Sequence, residues 1–218
     1  ALSFVGLVPA ALLGIDLDPL LASGSAAVAQ SRDPEPAGNH ALALGCIMGA
    51  LAREGHDKMT LIVDEPIDGF GAWAEQLVAE STGKHSVGVV PVDGEPLGAV
   101  STYGEDRLFV RIKLDGGTAP RCADGSDVDA RLDALAAAGH PVLEWTLNDR
   151  IDIGGEFVRW EAATAFAGAV LNINPFDEPN VTESKTNTAN VLAELAANGA
   201  LPELPAKCSV DGLQLWVD

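Results

Sequence analysis

Basic residues are scarce in this sequence: 13 lysines and arginines stand against 32 aspartates and glutamates, for a formal net charge of −19 over 218 residues. Nucleic acid and anionic membrane surfaces both need a cationic face, so this balance argues against either as a partner and favours solubility. Aromatic residues are also few, at 5%, but 47% of the chain is hydrophobic, which is enough for one globular domain with a sizeable core. The three cysteines, Cys46, Cys122 and Cys208, are scattered and odd in number. That pattern speaks against a disulfide framework or a metal site and suits reduced thiols in a cytoplasm, where they read as packing residues. Long apolar runs are missing as well. The opening through Ile15 is broken by Gly6, Pro9 and Gly14 and has no basic leader, so it is neither a convincing signal peptide nor long enough to span a bilayer. There is no internal repeat, no Gly-x-Gly-x-x-Gly run and no paired metal-ligand spacing. Ser81-Thr-Gly-Lys84 fails as a nucleotide-phosphate loop, because Val78 stands where the first glycine belongs and His85 where the hydroxyl residue belongs.

What is present alternates. Asp16 to Gln30 reads as a helix, Ser31 to Gly38 as a polar turn with two prolines, and Asn39 caps a further helix that runs to about Glu54. Lys58–Val63, Val87–Val92, Leu108–Leu114 and Pro141–Leu147 read as strands, with helices at Phe70–Lys84 and Asp127–Ala138. Strand followed by helix implies parallel crossovers, hence an α/β fold with a parallel central sheet and helices on both faces. Glu156 to Asn172 is apolar on nearly every side and should be a helix buried in the domain or in a dimer contact. After Gly199 a Leu-Pro-Glu-Leu-Pro linker leads to Ser209–Val217, whose alternation suggests a half-exposed edge strand, so that about 200–218 forms a tail.

Two charged residues sit where helical spacing puts apolar ones. In Asn174–Lys185 a turn opens a helix, with Asp177 able to cap it and Pro179 suited to its first turn. Val181, Lys185, Thr188, Leu192 and Leu195 then share one stripe, so Lys185 should point inward, although a lysine on such a stripe commonly carries its charge to the rim. In the helix that begins at Phe70, the face of Phe70, Trp73 and Leu77 continues to Glu80, with Gln76 one turn back. Glu80 lies in the last turn, before a left-handed terminator at Gly83, where the helix dipole and any dehydration both favour the protonated carboxyl, as a base near neutral pH requires. A solvated glutamate at a frayed helix end fits the same spacing.

Together these segments resemble a known family. Trp73-Ala-Glu-Gln-Leu-Val-Ala-Glu-Ser-Thr-Gly-Lys84, followed by Gly88-Val-Val-Pro91, looks like the phosphoglucose isomerase segment ending in Glu-Ser-x-Gly-Lys. Gly168 to Lys185 looks like that family's C-terminal signature, in which an Asn-Pro-Phe-Asp-Gln-Pro-Gly-Val run ends in a lysine. Leu2 to Asp16 resembles the segment just after its Gly-Gly-Arg-Tyr-Ser motif. The wording is similar to the isomerase half of bifunctional transaldolase/glucose-6-phosphate isomerases. The resemblance implies one C-terminal sugar isomerase (SIS-type, flavodoxin-like) domain over 1–218. It also implies an upstream domain, absent from this chain, as a partner, and it leaves open a homodimer.

By position, the resemblance makes Glu80 the base of a glucose 6-phosphate/fructose 6-phosphate isomerisation and Lys185 the lysine near the ring oxygen. Gln76, Glu178, Ser81 and Lys84 then fall among the substrate-binding residues. No metal or redox cofactor is implied, because the neighbouring carbonyl acidifies the proton that moves. A phosphorylated hexose is an anion, so its site must be locally positive against the −19 background. Two departures stand out. Glu178 replaces the family's glutamine after Phe-Asp, and Gly94–Tyr103, where the ring-opening histidine is expected, has none. His85 lies near the motif and His140 reads as structural. A non-catalytic sugar-phosphate-binding module is the competing expectation.

Overall fold

The chain's caps and β-branched runs become the elements that the spacing implies. In the computed structural model, which describes residues 1–201 and 206–216, Asp16 caps α2 (Leu17–Gln30) and Asp127 caps α5 (Val128–Ala137). The Asn39 Oδ1 accepts from Leu42 N at 2.9 Å to cap α3 (His40–Arg53), while its amide donates to Ser31 and Asp33 carbonyls. A side-chain oxygen at such a cap satisfies one of the free N–H groups of the first turn. The opening apolar segment forms α1 (Phe4–Leu12), none of whose residues is buried. No helix among the described residues is long and apolar enough to cross a membrane.

Four strands, β1 (Lys58–Val63), β2 (Val90–Asp93), β3 (Arg107–Leu114) and β4 (Val142–Leu147), form one parallel sheet in the order β2-β1-β3-β4. Alternating residues on β1 and β3 serve two cores. Met59, Leu61, Val63, Leu108, Val110 and Ile112 pack with α3, α4 (Gly69–Thr82) and α6 (Ile153–Leu171). Ile62 and Phe109 pack with Val128, Leu132 and Leu135 of α5 on the opposite face. Helices therefore cover both faces, as in other parallel sheets whose central strands must be buried twice. The apolar α6 is the pivot of the first core: Trp160, Ala163 and Ala167 are fully buried, and the helix packs on α2, α3 and α4. A Cβ at Gly45 of α3 would lie 2.3 Å from the Ala163 carbonyl oxygen, which shows how closely α3 and α6 approach.

At the carboxyl ends of β1 and β3, Arg111 is buried between Asp64 (2.6 Å) and Asp129 (2.9 Å). At the end of β2, beyond β1, burial holds the Asp93 carboxyl above the usual carboxylate range against the opposing Gly94 N–H, with lesser repulsion from Glu75 and Asp68. The edge at which ligands of such sheets usually bind is thus acidic and internally paired.

Ala1–Asp177 forms one compact unit and Glu178–Asp218 a second. The second holds α7 (Pro179–Asn198) and a hairpin of β5 (Cys208–Val210) and β6 (Leu213–Leu215), antiparallel to each other. The expected single edge strand over Ser209–Val217 is instead this hairpin, because Asp211 and Gly212 both take positive φ (47° and 81°) and turn the chain. Pro202–Pro205 of the expected linker, and Val217, lie outside the described residues. Among the cysteines, Cys122 is buried, but Cys208 is exposed rather than a packing residue.

Candidate functional site at the end of helix α4

Because β1 and β2 are parallel and α4 joins them, α4 runs antiparallel to the strands and brings its last turn to their amino ends. Glu80 therefore lies at the edge opposite the Arg111 cluster. The buried line along α4 is Phe70, Ala74, Val78 and Thr82, with Trp73 and Leu77 only half buried beside it. The expected face of Phe70, Trp73 and Leu77 is displaced by about one residue, and Glu80 and Gln76 fall in solvent. Gln76 Nε2 donates to Glu80 Oε1 at 3.1 Å, so the amide holds the carboxylate from one turn away. Dehydration, one of the two effects expected to act on Glu80, is absent at this exposed position.

Buried polar groups fix the end of α4. The Thr82 hydroxyl, fully enclosed, donates to the Val78 carbonyl (2.8 Å) and accepts from Val89 N (2.9 Å), which joins the helix to the approach of β2. Gly83 ends the helix, but with φ −71° and ψ 75° it is not the left-handed terminator expected. The positive φ values fall instead on His85 (54°) and Ser86 (62°), the two central residues of a turn closed by reciprocal Lys84–Val87 backbone bonds of 2.9 Å. Val87, expected in a strand, belongs to this turn, and β2 begins at Val90. The His85 side chain is exposed at the tip.

Lys84 is only 2% exposed. Its Nζ donates to the Asn174 carbonyl (2.7 Å), the Asp177 carbonyl and Asp177 Oδ1 (2.7 Å). An ammonium has three N–H donors, so these partners account for all of them and none is left for a phosphate. Expected among the substrate-binding residues, Lys84 is placed by the structure as a strut between two stretches of chain. Asp177, expected to cap the next helix, gives its carboxylate to Lys84; Glu178 occupies the cap position without a side-chain bond, and Pro179 opens α7 as expected. Ser81 is half buried next to Glu80.

Glu178 and Lys185 belong to the second unit, and both are exposed. None of α7 is buried, and Val181, Val191 and Leu192 stand 40%, 45% and 58% exposed. Lys185 therefore does not point into a core as its stripe suggested. Within the first unit, the structure joins Gln76 with Glu80, and Lys84 with the Asn174–Asp177 turn. Sequence reasoning missed Thr82 and the acceptors that surround the Lys84 ammonium. A lysine directly after a helix-ending glycine, matched to a polar Asn-Pro-Phe-Asp turn, was the available signal.

No family model matches the chain. Individual proteins do. It is 33% identical to a probable glucose-6-phosphate isomerase of Haloarcula marismortui over 223 residues, which cover 88% of this chain and 50% of that protein. It is 30% identical to a glucose-6-phosphate isomerase of Streptococcus mutans over 224 residues, again 88% of this chain and 50% of the relative. With the glucose-6-phosphate isomerase of Pediococcus pentosaceus the identity is 27%, over 94% of this chain and 53% of the relative. The chain thus spans about half the length of the curated relatives it matches. Among solved structures, a glucose-6-phosphate isomerase from Chlamydia trachomatis superposes with a TM-score of 0.56 at 17% identity, over 82% of this chain and 43% of that one, a likeness of fold.

Proposed function

We propose that this chain supplies the base-bearing half of an aldose–ketose isomerase that interconverts glucose 6-phosphate and fructose 6-phosphate. The observation that carries the reading is the exposed Glu80 carboxylate, held by Gln76 at the end of α4, inside a chain similar over most of its length to proteins named for that reaction. In the open-chain aldose the carbonyl at C1 acidifies the C2–H. Glu80 removes that proton while O1 gains one, giving an enediol; the carboxylic acid so formed then returns its proton to C1 as the C2 hydroxyl gives one up, so that the net transfers are C2–H to C1 and the O2 proton to O1, leaving the ketone. Hydrogen moves only as a proton, so the reaction calls for no redox carrier.

The charge that develops on the sugar oxygens needs donors, and Lys185 is our choice for the ammonium near the ring oxygen. Glu178 puts a carboxylate where a neutral amide would suit an anionic substrate better, and Lys185 is the cation that would offset it. Glu80 and Gln76 face water in this chain, so we assign the closing of the site to a companion half like that of the longer relatives, with a homodimer as a further element. A transaldolase joined to that companion is part of the same reading, since the wording of the sequence resembles the bifunctional variant. The acidic surface and free cysteines fit a cytoplasmic enzyme.

A second reading is a sugar-phosphate-binding module without turnover. It is favoured by the lack of any histidine in Gly94–Tyr103, where the only ionisable side chains are those of Glu95 and Tyr103, which are engaged with Arg107 and each other. A coupled assay of fructose 6-phosphate conversion separates the two. The isomerase reading expects turnover when the chain is joined to a companion half, little or none from the chain alone, and loss of turnover in Glu80→Gln. Saturable binding without turnover in the joined protein favours the module.

A further inference from the structure

Lys84 lies at a junction that the assigned chemistry does not use. Four residues before it stands Glu80, and its backbone is clamped by Val87 on both sides of the turn. Its ammonium reaches 93 residues along the chain to Asp177, the last residue of the first unit. The far side of this contact is itself ordered. Asn174 Oδ1 accepts from Phe176 N (3.1 Å), and Pro175 sits so close to α6 that a Cβ at Gly168 would lie 2.8 Å from its Cγ. Two rigid pieces, the end of α4 and the turn after α6, therefore meet through one buried cation whose donors are all engaged.

We propose that Lys84 is a positioning residue for the hexose-phosphate site, not a ligand of the phosphate: its ammonium locks the Glu80-bearing end of α4 to the Asn174–Asp177 turn from which the Lys185 segment departs. This role rests on the isomerase reading for its substrate, but the lock itself is a property of the first unit. Asp177 is then more than a negative charge near an anion. It is the partner that keeps the ammonium in place.

The test compares Lys84→Met, Asp177→Ala and the double variant with the parent chain. Amide exchange at 80–84 and 173–178 reads the lock in the chain itself, and titration of each variant, joined to a companion half, with fructose 6-phosphate and with inorganic phosphate reads the site. Lys84→Met should speed exchange at both segments by about tenfold or more while the amides of β1 and β3 keep their protection. Lys84→Met should weaken fructose 6-phosphate binding about tenfold or more and Asp177→Ala by less, since the ammonium keeps two backbone acceptors, and the double variant should weaken it little beyond Lys84→Met, which already removes the whole contact. Were Lys84 a phosphate ligand, Asp177→Ala would release one of its donors and a competing negative charge and so tighten both anions, and that result overturns the proposal. Should Lys84→Met fail to fold, Asp177→Ala, at a half-exposed position, carries the comparison. A parent chain that binds no fructose 6-phosphate even when joined to a companion half counts against the isomerase reading, and the exchange arm then decides the lock alone. Unchanged exchange at 173–178 overturns it.

Discussion

Lys84 Nζ and Asp177 Oδ1 lie 2.7 Å apart, the ammonium buried and the carboxylate half exposed, and this pair joins the two segments whose wording is most informative in the sequence. Removing the cation leaves the Asn174 and Asp177 carbonyls without their donor, whereas removing the half-exposed carboxylate leaves its partner two other acceptors. Lys84→Met should therefore lower unfolding free energy by about 2–3 kcal/mol, and Asp177→Asn by about 1 kcal/mol or less. Urea denaturation of both variants checks the order; an equal, small loss in each would show that the buried donors add little.

Thr82 gives a second measure of how the end of α4 is held. Its hydroxyl both donates to Val78 and accepts from Val89 inside the fold, so Thr82→Val keeps the shape and orphans a buried N–H. The expected cost is about 1–3 kcal/mol. Because Glu80 and Gln76 are solvent-exposed, Glu80→Gln should change stability by less than about 0.5 kcal/mol. Paired thermal melts test the contrast.

Glu156 carries a pH signature. Burial raises its carboxyl above the ordinary 4.5, and the nearby Arg159, bonded to Oε1 at 2.6 Å, opposes the shift without cancelling it. A carboxyl with a raised folded value contributes stability that is fully present below the unfolded value and is lost as pH rises through the folded one. Relative to the parent chain, Glu156→Gln should therefore gain stability as pH is raised from about 4.5 toward neutrality, provided the amide keeps the Arg159 contact. Stability curves for both proteins across that range give the sign; a difference that stays flat would mean the carboxyl titrates alike folded and unfolded.

The α3–α6 contact should tolerate no added carbon. In Gly45→Ala the new methyl meets the Ala163 carbonyl at 2.3 Å and the Phe166 Cβ at 2.6 Å, groups that move only with α6 itself. We expect a loss of about 1–3 kcal/mol, read by denaturation.

The architecture was legible because its signals are local. Asp16, Asn39 and Asp127 announce helix starts through side chains that bond the next turn, and the β-branched runs of β1 and β3 announce strands buried on both faces. The orientation of α4 was less legible. Phe70, Trp73 and Leu77 dominate a count of apolar residues, but the side packed tightest is lined by the small Ala74 and Gly71, which weigh little in such a count. A shift of one position on a helix is enough to move Glu80 from a half-buried face into water. The motif wording singled out Glu80 and Gln76, and the structure shows the two in contact. The burial of Lys84 was not legible, since spacing shows that a lysine is present but not that a distant turn supplies its acceptors. The stripe expected on α7 does not turn into a core, because Val181, Lys185, Thr188, Leu192 and Leu195 are all exposed. The Asp211-Gly212 dipeptide was a hairpin signal overlooked inside an alternating run.

The most direct test of Glu80 as the base is solvent hydrogen exchange into the sugar, monitored by NMR of fructose 6-phosphate in heavy water with the chain joined to a companion half. Proton abstraction labels the carbon even when net conversion is slow, so the readout isolates the step assigned to this carboxylate. Deuterium should accumulate at C1 with the parent protein, and the rate should fall by about 10²–10⁴-fold in Glu80→Gln. Labelling at an undiminished rate in that variant, with its fold intact, would contradict the assignment of Glu80 as the base.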